Sequence, residues 1–283
     1  MAGDLFRLSA REAYDQLDMP DEEFYTIVDN SLNPRSSDML NDKLGTLVAG
    51  NDSAHVLDAG CRDATHMCEI AERFGCRVSG IDIVAAQIRL AQEKIVLKGL
   101  AEQVDAIQGD IQSMSFPDGA FDVVWCRDML SLIPDLRKGF SECARVLKDS
   151  GHMLAFTVFA TKLLESGEAE RLYAPLGVVA DNMSADFFEN ALRDAGLSIV
   201  ERDWLRSEWR EWREEKGDRK TSQQMLRIAR MLRARDDLIA SVGRKDYEVE
   251  LADCYWGVYQ MIGKLSPVVY ILRPSQRPHT RPL

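Results

Sequence analysis

Acidic side chains stand where three predicted strands end, and one glycine stands among them. Asp58 and Gly60 close the run HVLDAG, Asp82 closes VSGID, and Asp110 follows VDAIQG. The carboxyl ends of parallel strands meet at one edge of a sheet, and ligands of α/β folds bind outside that edge. A carboxylate there accepts both hydrogen bonds of a ribose diol, which is the chemistry we assign to Asp82. Asp110 is placed to accept a hydrogen bond from the exocyclic amine of an adenine.

Two isoleucines and the glycine complete this predicted site. Ile83 and Ile111 directly follow two of the acids and would form the apolar walls of a base slot. Gly60 has no Cβ, so the backbone can approach a ligand closely there. A single acid at a strand end is usually a helix N-cap or a solvated turn, but three in chain order after VLDAG favour one shared site.

Strand-length apolar runs alternate with helical segments along the chain. The predicted strands are HVLDA, CRVSGIDI, VDAIQGD, FDVVWC, HMLAFTVF, LSIVERDWL and PVVYIL. One helix between them is predicted to open at Pro134 and close at Gly151, and another covers TSQQMLRIARMLRARDDLIASVG. The alternation predicts an α/β fold with a parallel sheet covered by helices on both faces. This is a Rossmann-like, doubly wound sheet of seven strands.

The chain divides into four predicted parts. Residues 1–50 are polar with a helical pattern and predict an N-terminal lid, and residues 51–205 predict the ligand-binding core. About sixty residues separate the last two strands, which is too many for an ordinary loop, so residues 206–265 are predicted to form a helical cap. Residues 266–283 hold the last core strand and the proline-rich, basic tail RPSQRPHTRPL, which is typical of disorder.

Composition argues against two classes of partner. The net charge of −11 leaves no cationic surface to displace counterions from nucleic acid, and anionic membranes repel such a chain. No stretch approaches the ~18 apolar residues of a membrane span, and the start lacks the apolar run of a signal peptide. The six cysteines form no CxxC pair and no zinc spacing. We therefore expect buried thiols, no metal site, a cytoplasmic location, and a monomer or a homodimer.

Residues 55 to about 158 resemble a known enzyme family. The matching stretches are VLDAGCRDAT, VSGIDIVAAQIRLAQEKI, GDIQSMSFPDGAFDVVWCRDMLSLIPD and ARVLKDSGHMLAF. The sequence is similar to class I S-adenosylmethionine-dependent methyltransferases, in the branch that acts on small molecules such as ubiquinone and menaquinone precursors. The most specific part of the resemblance is FPDGAFDVVW followed by ARVLKDSGHML, since a glycine loop alone is common to many folds.

The resemblance implies where S-adenosyl-L-methionine would bind. Its implied contacts are Asp58 and Gly60 under the methionine half, Asp82 on the ribose hydroxyls, Asp110 and Ile111 at the adenine, and Cys126 and Arg127 beside the methionine moiety. In that family the N-terminal segment folds over the cofactor, which makes Tyr25 and Arg35 lid candidates. We count Arg35 among the cofactor-binding residues because its guanidinium is suited to pairing with a carboxylate.

The sequence departs from the family pattern in two places. The glycine loop usually has three glycines, but Arg62 and Ala64 stand in two of those positions. These two residues are tolerable there provided that their backbone angles suit a side chain with a Cβ, and Arg62 either points to solvent or reaches the cofactor carboxylate. The Glu-His pair that many relatives carry after the fourth strand is here Ser131 and Leu132. The catalytic residues therefore stay unknown, and alignment with exclusion of water would supply much of the acceleration.

Aromatic side chains are the candidates for an acceptor pocket. Tyr255 and Tyr259 lie one helical turn apart, and Trp209 belongs to the tryptophan-rich segment WLRSEWREW. Such a stripe is more often ordinary core, but it also suits a wall for a flat or apolar acceptor. The candidate substrate-contacting residues are Tyr25, His66, Tyr173, Trp209, Tyr255 and Tyr259.

Two other functions compete with methyl transfer to a small molecule. The lost glycines and the missing Glu-His pair are compatible with a protein that keeps the fold for binding a partner, or that uses the cofactor without transferring its methyl group. A nicotinamide-dependent dehydrogenase is weaker, because GCRDAT lacks the GxGxxG spacing that close contact with a pyrophosphate requires.

Overall fold

The structure is a computed structural model that describes residues 22–275, with side chains described from residue 25 onward. The chain divides into two units, of which the first ends at Pro34 and the second begins at Arg35. In the first unit, helix α1 spans Glu22–Val28. Residues 1–21 of the predicted lid and residues 276–283 of the predicted disordered tail lie outside the described residues.

The second unit contains alternating strands and helices. Its described strands are β1 His55–Ala59, β2 Arg77–Asp82, β3 Val104–Gln108, β4 Phe121–Arg127, β5 Leu147–Ala160, β6 Leu197–Trp204 and β7 Leu265–Pro274. Its described α-helices are α2 Asp38–Val48, α3 Thr65–Phe74, α4 Ala85–Leu97, α5 Leu136–Val146, α6 Ser166–Leu176, α7 Ala185–Asp194, α8 Glu208–Glu215, α9 Lys220–Arg233, α10 Arg235–Val242 and α11 Arg244–Met261. All seven predicted strands are present, so this part of the sequence interpretation is confirmed.

One mixed sheet joins all seven strands in the order β3-β2-β1-β4-β5-β7-β6. Strands β1 to β5 pair in parallel, whereas β7 runs antiparallel to both of its neighbours. The strand order reverses beside β1, which pairs with β2 on one side and β4 on the other. This reversal is the switch point at which doubly wound sheets form a ligand crevice. The α/β, doubly wound architecture is confirmed.

Buried apolar side chains cover both faces of the sheet. β1 is buried along almost its whole length, as expected for a central parallel strand with helices on each side. Helix α5 places Leu136, Phe140 and Cys143 on one buried stripe at i, i+4 and i+7. Asp135 begins this helix by accepting a hydrogen bond from the Lys138 amide at 3.0 Å. These contacts fix β4 and β5 and, with them, the loop that follows β4.

Two helix predictions differ from the structure, and two helices, α6 and α8, were not predicted. The helix predicted to close at Gly151 ends at Val146, because β5 begins at the next residue and takes residues 147–160 into the sheet. The long helix predicted after residue 220 is two helices, α9 and α10, interrupted at Ala234, whose backbone leaves the helical region. Helix α6 was not predicted, and it begins with a capping box formed by Glu165 and Glu168.

Four helices, α8 to α11, lie between β6 and β7, where the sequence predicted an inserted cap. Helix α11 packs against α9 and α6, so these helices join the core of the second unit. All six cysteines are buried free thiols, as predicted. Among the helices in residues 22–275, none combines the length and the apolar character that crossing a bilayer demands.

Candidate functional site

A cavity of about 930 Å³ opens at the carboxyl edge of the sheet beside the switch point, and we call it the larger cavity. The carboxylates of Asp58, Asp82 and Asp110 all line it, so the predicted meeting of three acids on one edge is present in the structure. Most of the predicted cofactor-binding residues belong to its wall, namely Asp58, Gly60, Asp82, Ile83, Asp110, Ile111 and Arg127. The volume lies in the range of small-molecule and cofactor sites.

Asp58 is the deepest of the three acids. The residue is 3% exposed, and no hydrogen-bond donor among the described residues reaches its carboxylate. Burial raises the pKa of Asp58 to about 7, although the nearby charge of Arg127 acts in the opposite direction. A buried carboxylate without a partner is costly unless a cation or a donor from a ligand completes it. The floor of the larger cavity is therefore suited to a cationic group.

The Asp82 carboxylate is held in a fixed orientation by the backbone. One oxygen accepts from the Arg62 amide at 3.0 Å, and the other accepts from the Val84 amide at 2.9 Å. Each carboxylate oxygen can accept a further hydrogen bond, so the pair remains available to two hydroxyl groups. This arrangement suits a ribose diol, as the sequence predicted for this position.

The loop from Gly60 to Ala64 keeps a glycine-like backbone despite its side chains. Arg62 has φ 47° and Ala64 has φ 60°, both in the left-handed region that favours glycine. The condition set for these two residues, backbone angles that suit a side chain with a Cβ, is therefore not met. Gly60, at φ 87°, is also required for packing, because a Cβ there would lie 2.8 Å from Cγ of Met129. The glycine thus accommodates a side chain of the protein itself.

Asp110 and the two isoleucines form the far end of the larger cavity. The Asp110 carboxylate accepts a hydrogen bond from the Gln112 amide at 2.8 Å and further bonds from the side chain of Gln112. Ile111 is buried, whereas Ile83 is 64% exposed and presents an apolar surface at the cavity wall. An acid between two apolar walls suits a heteroaromatic base that carries an amine.

Two predicted cofactor-binding residues do not line the larger cavity. Arg35 is engaged elsewhere: its Nε donates to Glu208 at 2.7 Å and its Nη1 donates to Asp203 at 2.7 Å. Both carboxylates are far away in sequence, which is why this partnership could not be read from the local pattern. Cys126 is fully buried, and its side chain points into the core beneath β4. In neither case is the side chain placed to contact a ligand in the larger cavity.

A second cavity, of about 520 Å³, shares Arg127 and Asp128 with the first, and we call it the smaller cavity. Phe156 and Trp209 stack on one another at its wall, with ring centroids 4.6 Å apart and planes 11° apart. Arg210 and Arg213 of helix α8 also line it. The stacked pair agrees with the predicted aromatic wall at Trp209.

Asp128 is a functional candidate that the sequence interpretation missed. It follows β4 directly and has φ 56°. The residue is exposed, and it lies at the wall of the smaller cavity. The protein that surrounds the carboxyl limits its hydration and raises the pKa of Asp128 to about 6, against the opposing charges of Arg127 and Arg210. The available signal was its position: it is a fourth acid just past the end of a parallel strand, at the boundary of two cavities.

The predicted acceptor residues fall into three groups. His66 lines the larger cavity, where its Nδ1 lies 3.1 Å from Glu69, and Trp209 lines the smaller one. Three tyrosines line neither cavity, namely Tyr173, Tyr255 and Tyr259. The aromatic pair on α11 is packed against α6, and the Tyr259 hydroxyl donates to Glu168 at 3.3 Å. Tyr25 belongs to the first unit, and its role stays a prediction.

Comparison with known proteins gives the same family as the resemblance. Residues 57–155 match the family described as "Methyltransferase domain". A sterol 4-C-methyltransferase of Caenorhabditis elegans is 32% identical over 111 residues, which are 39% of this chain and 33% of that protein. The chain spans 33%, 59% and 40% of the lengths of the first curated relatives that it matches.

Solved structures share the fold at low sequence identity. The [4+2]-cyclase SpnF matches with a TM-score of 0.66 and 20% identity, covering 85% of this chain and 82% of that chain. A geranyl diphosphate C-methyltransferase from Streptomyces coelicolor A3(2) matches with a TM-score of 0.61 and 19% identity, covering 84% and 79%. The ubiquinone-like branch named from the resemblance is not distinguished by these matches. Residues 57–155 therefore match a methyltransferase domain, and the sheet with its helices has the α/β, Rossmann-like fold of S-adenosylmethionine-dependent methyltransferases.

Proposed function

We propose that this protein transfers a methyl group from S-adenosyl-L-methionine to a small-molecule acceptor. The observation that carries the proposal is the larger cavity, in which a buried, unpartnered carboxylate, a backbone-oriented carboxylate and an acid between apolar walls follow one another. A ligand with a cationic end, a ribose and an adenine matches this order of groups. The matched family agrees with the same activity.

The fit to the cofactor is tightest at Asp58. S-adenosylmethionine carries an ammonium group and a sulfonium, and a carboxylate that burial holds near pKa 7 gains much from a neighbouring cation. Asp82 is positioned to accept from the two ribose hydroxyls, while Ile111 and Ile83 enclose the base. The bound cofactor would supply an activated methyl group on its sulfonium.

The residues at the boundary of the two cavities would act on the acceptor. The smaller cavity shares Arg127 and Asp128 with the larger one, so an acceptor placed there would meet the cofactor across this boundary. Asp128, with its raised pKa, is suited to accept a proton on a carboxylate oxygen from an acceptor hydroxyl or amine. The aromatic wall would align the acceptor and exclude water from it.

A flat or aromatic acceptor, a cytoplasmic location and a monomeric or homodimeric state complete the proposal. The stacked pair of Phe156 and Trp209 supports the first of these, because a planar ligand packs well on a planar wall. The six buried free thiols support a reducing compartment.

A second candidate function is catalysis or binding without methyl transfer. The fold is shared with the [4+2]-cyclase SpnF, and the glycine loop of this chain is altered at Arg62 and Ala64. Such a protein would bind the cofactor in the larger cavity and would not consume it.

Release of S-adenosylhomocysteine separates these two functions. The full chain is incubated with S-adenosylmethionine and a library of flat small molecules, and the released product is measured. We expect release with at least one acceptor, and its loss in Asp82→Ala but not in Asp237→Ala, whose carboxylate is exposed on helix α10. Cofactor binding without release for any acceptor would favour the second candidate.

A further inference from the structure

We propose that the smaller cavity recognises an acidic group on the acceptor, and that Arg210 is the residue that pairs with it. This inference rests on the proposed function, because it assigns a chemical class to the acceptor. The occupant would be a flat molecule that carries a carboxylate or a phosphate at the end away from the larger cavity.

The environment of Arg210 differs from that of the chain's paired arginines. Its Nε donates to the Gln260 side chain at 3.1 Å and its Nη1 donates to the Gln224 side chain at 3.2 Å. Both partners are neutral amides, and within residues 25–275 no carboxylate lies within 4.0 Å of the Arg210 guanidinium. Arg35 and Arg145, in contrast, each hold two carboxylates. Two amides thus orient the Arg210 fork, and neither of them forms an ion pair with it.

Arg127 is a second guanidinium without an ion pair. Its guanidinium lines both cavities, and no hydrogen bond or ion pair joins it to any of the described side chains. Burial lowers the pKa of Arg127, which means that the surrounding protein disfavours its charge until a partner arrives. A half-buried guanidinium without a carboxylate is a binding feature for an anion, since charge-assisted hydrogen bonds are the strong ones.

Two of the three arginines of the smaller cavity form no ion pair. Arg213 is paired with Asp218, its Nε donating at 2.9 Å, so these two charges offset one another. Arg127 and Arg210 line the same cavity without such a partner, although carboxylates farther away, Asp128 among them, act on both guanidinium groups. An acidic group on a ligand in this cavity could therefore form an ion pair with either of them.

Shape sets the rest of the acceptor. The cavity of about 520 Å³ suits a small molecule, and the stacked rings of Phe156 and Trp209 give it one planar wall. Arg210 comes from helix α8, whereas Asp128 lies at the boundary with the larger cavity. An acidic group held by Arg210 would therefore leave the opposite end of the molecule to face Asp128 and the cofactor.

Binding of matched acids and amides tests this inference. The full chain is titrated by calorimetry with 4-hydroxybenzoate and 4-hydroxybenzamide, with 4-hydroxycinnamate and its amide, and with phenyl phosphate and phenol. We expect at least one acid to bind at least about tenfold more tightly than its neutral partner, because a charge-assisted pair is lost in the neutral compound. The carboxylate and phosphate pairs distinguish which acidic group is preferred.

Variants assign the preference to the residue. Arg210→Gln should lower the affinity for that acid by at least about tenfold, and Arg230→Gln, at an exposed position of α9, by less than about twofold. Gln260→Glu places a carboxylate beside Arg210 and should weaken acid binding in the same direction. Affinity for S-adenosylhomocysteine, unchanged in all three variants, shows that they fold.

Three results would overturn the inference. The first is that the amides bind as tightly as the acids, the second is that no acid binds at about 10 mM, and the third is that Arg210→Gln keeps the same affinity for the acid as Arg230→Gln. All titrations are run with and without S-adenosylhomocysteine. A wild-type protein that does not bind S-adenosylhomocysteine would contradict the proposed function, while the comparison of acids with amides would still decide this inference.

Discussion

The larger cavity is walled by three carboxylates from strand ends of the core, whereas the smaller cavity draws two of its three arginines from the helix that follows β6. The three carboxylates come from short, regularly spaced segments, whereas the residues around the smaller cavity are distant from one another in sequence. Arg210 of α8, for example, is held by Gln260 of α11. A cofactor site at a switch point is thus determined by topology, whereas an acceptor site depends on how an inserted segment folds back on the core.

The largest expected effect is that of a substitution at Asp58, on the floor of the larger cavity. It should lower the affinity for the ligand and raise the stability of the fold. Asp58→Asn should weaken S-adenosylhomocysteine binding by about 100-fold or more, because a buried anion no longer faces the cationic end. The same change should raise the free energy of unfolding of the free protein at pH 8 by on the order of 2–4 kcal/mol, since burial raises the pKa of Asp58 from 3.8 to about 7.

The sign of this effect depends on pH. A carboxyl whose pKa is raised in the folded state stabilises the fold while both states are protonated, and that contribution is lost as the pH rises from about 4 to about 7. Asp58→Asn and the wild type should therefore converge in stability near pH 4 and differ most above pH 7. Urea unfolding at pH 4.5, 6 and 8 measures this, and an equal difference at all three values would contradict the assignment.

The boundary residue Asp128 gives the second largest effect. Asp128→Asn should lower kcat by about 10²–10⁴-fold, because the group that accepts the acceptor proton is lost, with little change in S-adenosylhomocysteine affinity. With the wild type, kcat should rise with pH and level off above about 6, the value to which the surrounding protein raises the pKa of Asp128. This rising limb should vanish in the variant. An unchanged limb would assign the proton transfer to another group.

The aromatic wall should matter to the smaller cavity alone. Trp209→Ala removes one half of the stacked pair with Phe156, so KM for the acceptor should rise by about tenfold. Tyr255→Ala, on the packed face of α11 outside both cavities, serves as the matched aromatic control for acceptor KM. The affinity for the cofactor should be the same in both variants. If acceptor KM rises equally in Trp209→Ala and Tyr255→Ala, the acceptor does not bind in the smaller cavity.

The smallest expected effect concerns the strained loop. Ala64→Gly should raise the free energy of unfolding by about 0.5–1 kcal/mol, because φ 60° is unfavourable for a residue with a Cβ. The same substitution at Ala229, exposed within helix α9, should lower it by about 1 kcal/mol. Thermal unfolding of the two variants compares the signs directly. A lower free energy of unfolding in Ala64→Gly than in the wild type would show that the left-handed loop is not strained.

The core site was largely predictable because its signals are local. Asp58, Asp82 and Asp110 each end a short apolar run, and the period of strands and helices fixes which ends share an edge. Asp128 also follows the end of a strand. The family resemblance, however, assigned the end of β4 to Cys126 and Arg127, so Asp128 was not considered. Its importance appears only when the two cavities are seen to share it.

The errors arose where distant residues decide a local feature. Arg35 pairs with Asp203 and Glu208, which are 168 and 173 residues away, so its own sequence context could not reveal that it was engaged. The tyrosine stripe of α11 is core, as such stripes usually are, because α6 packs against it. The left-handed angles at Arg62 and Ala64 follow from the shape that the loop needs between β1 and α3, against the preference of the residues themselves.

The assignment of the cofactor site can be decided by a crystal structure of the full chain with S-adenosylhomocysteine. We expect electron density for the ligand in the larger cavity, with both ribose hydroxyls within hydrogen-bonding distance of Asp82 and the amino group of the methionine half above Asp58. A nucleoside bound elsewhere, or a ribose with no contact to Asp82, would contradict it.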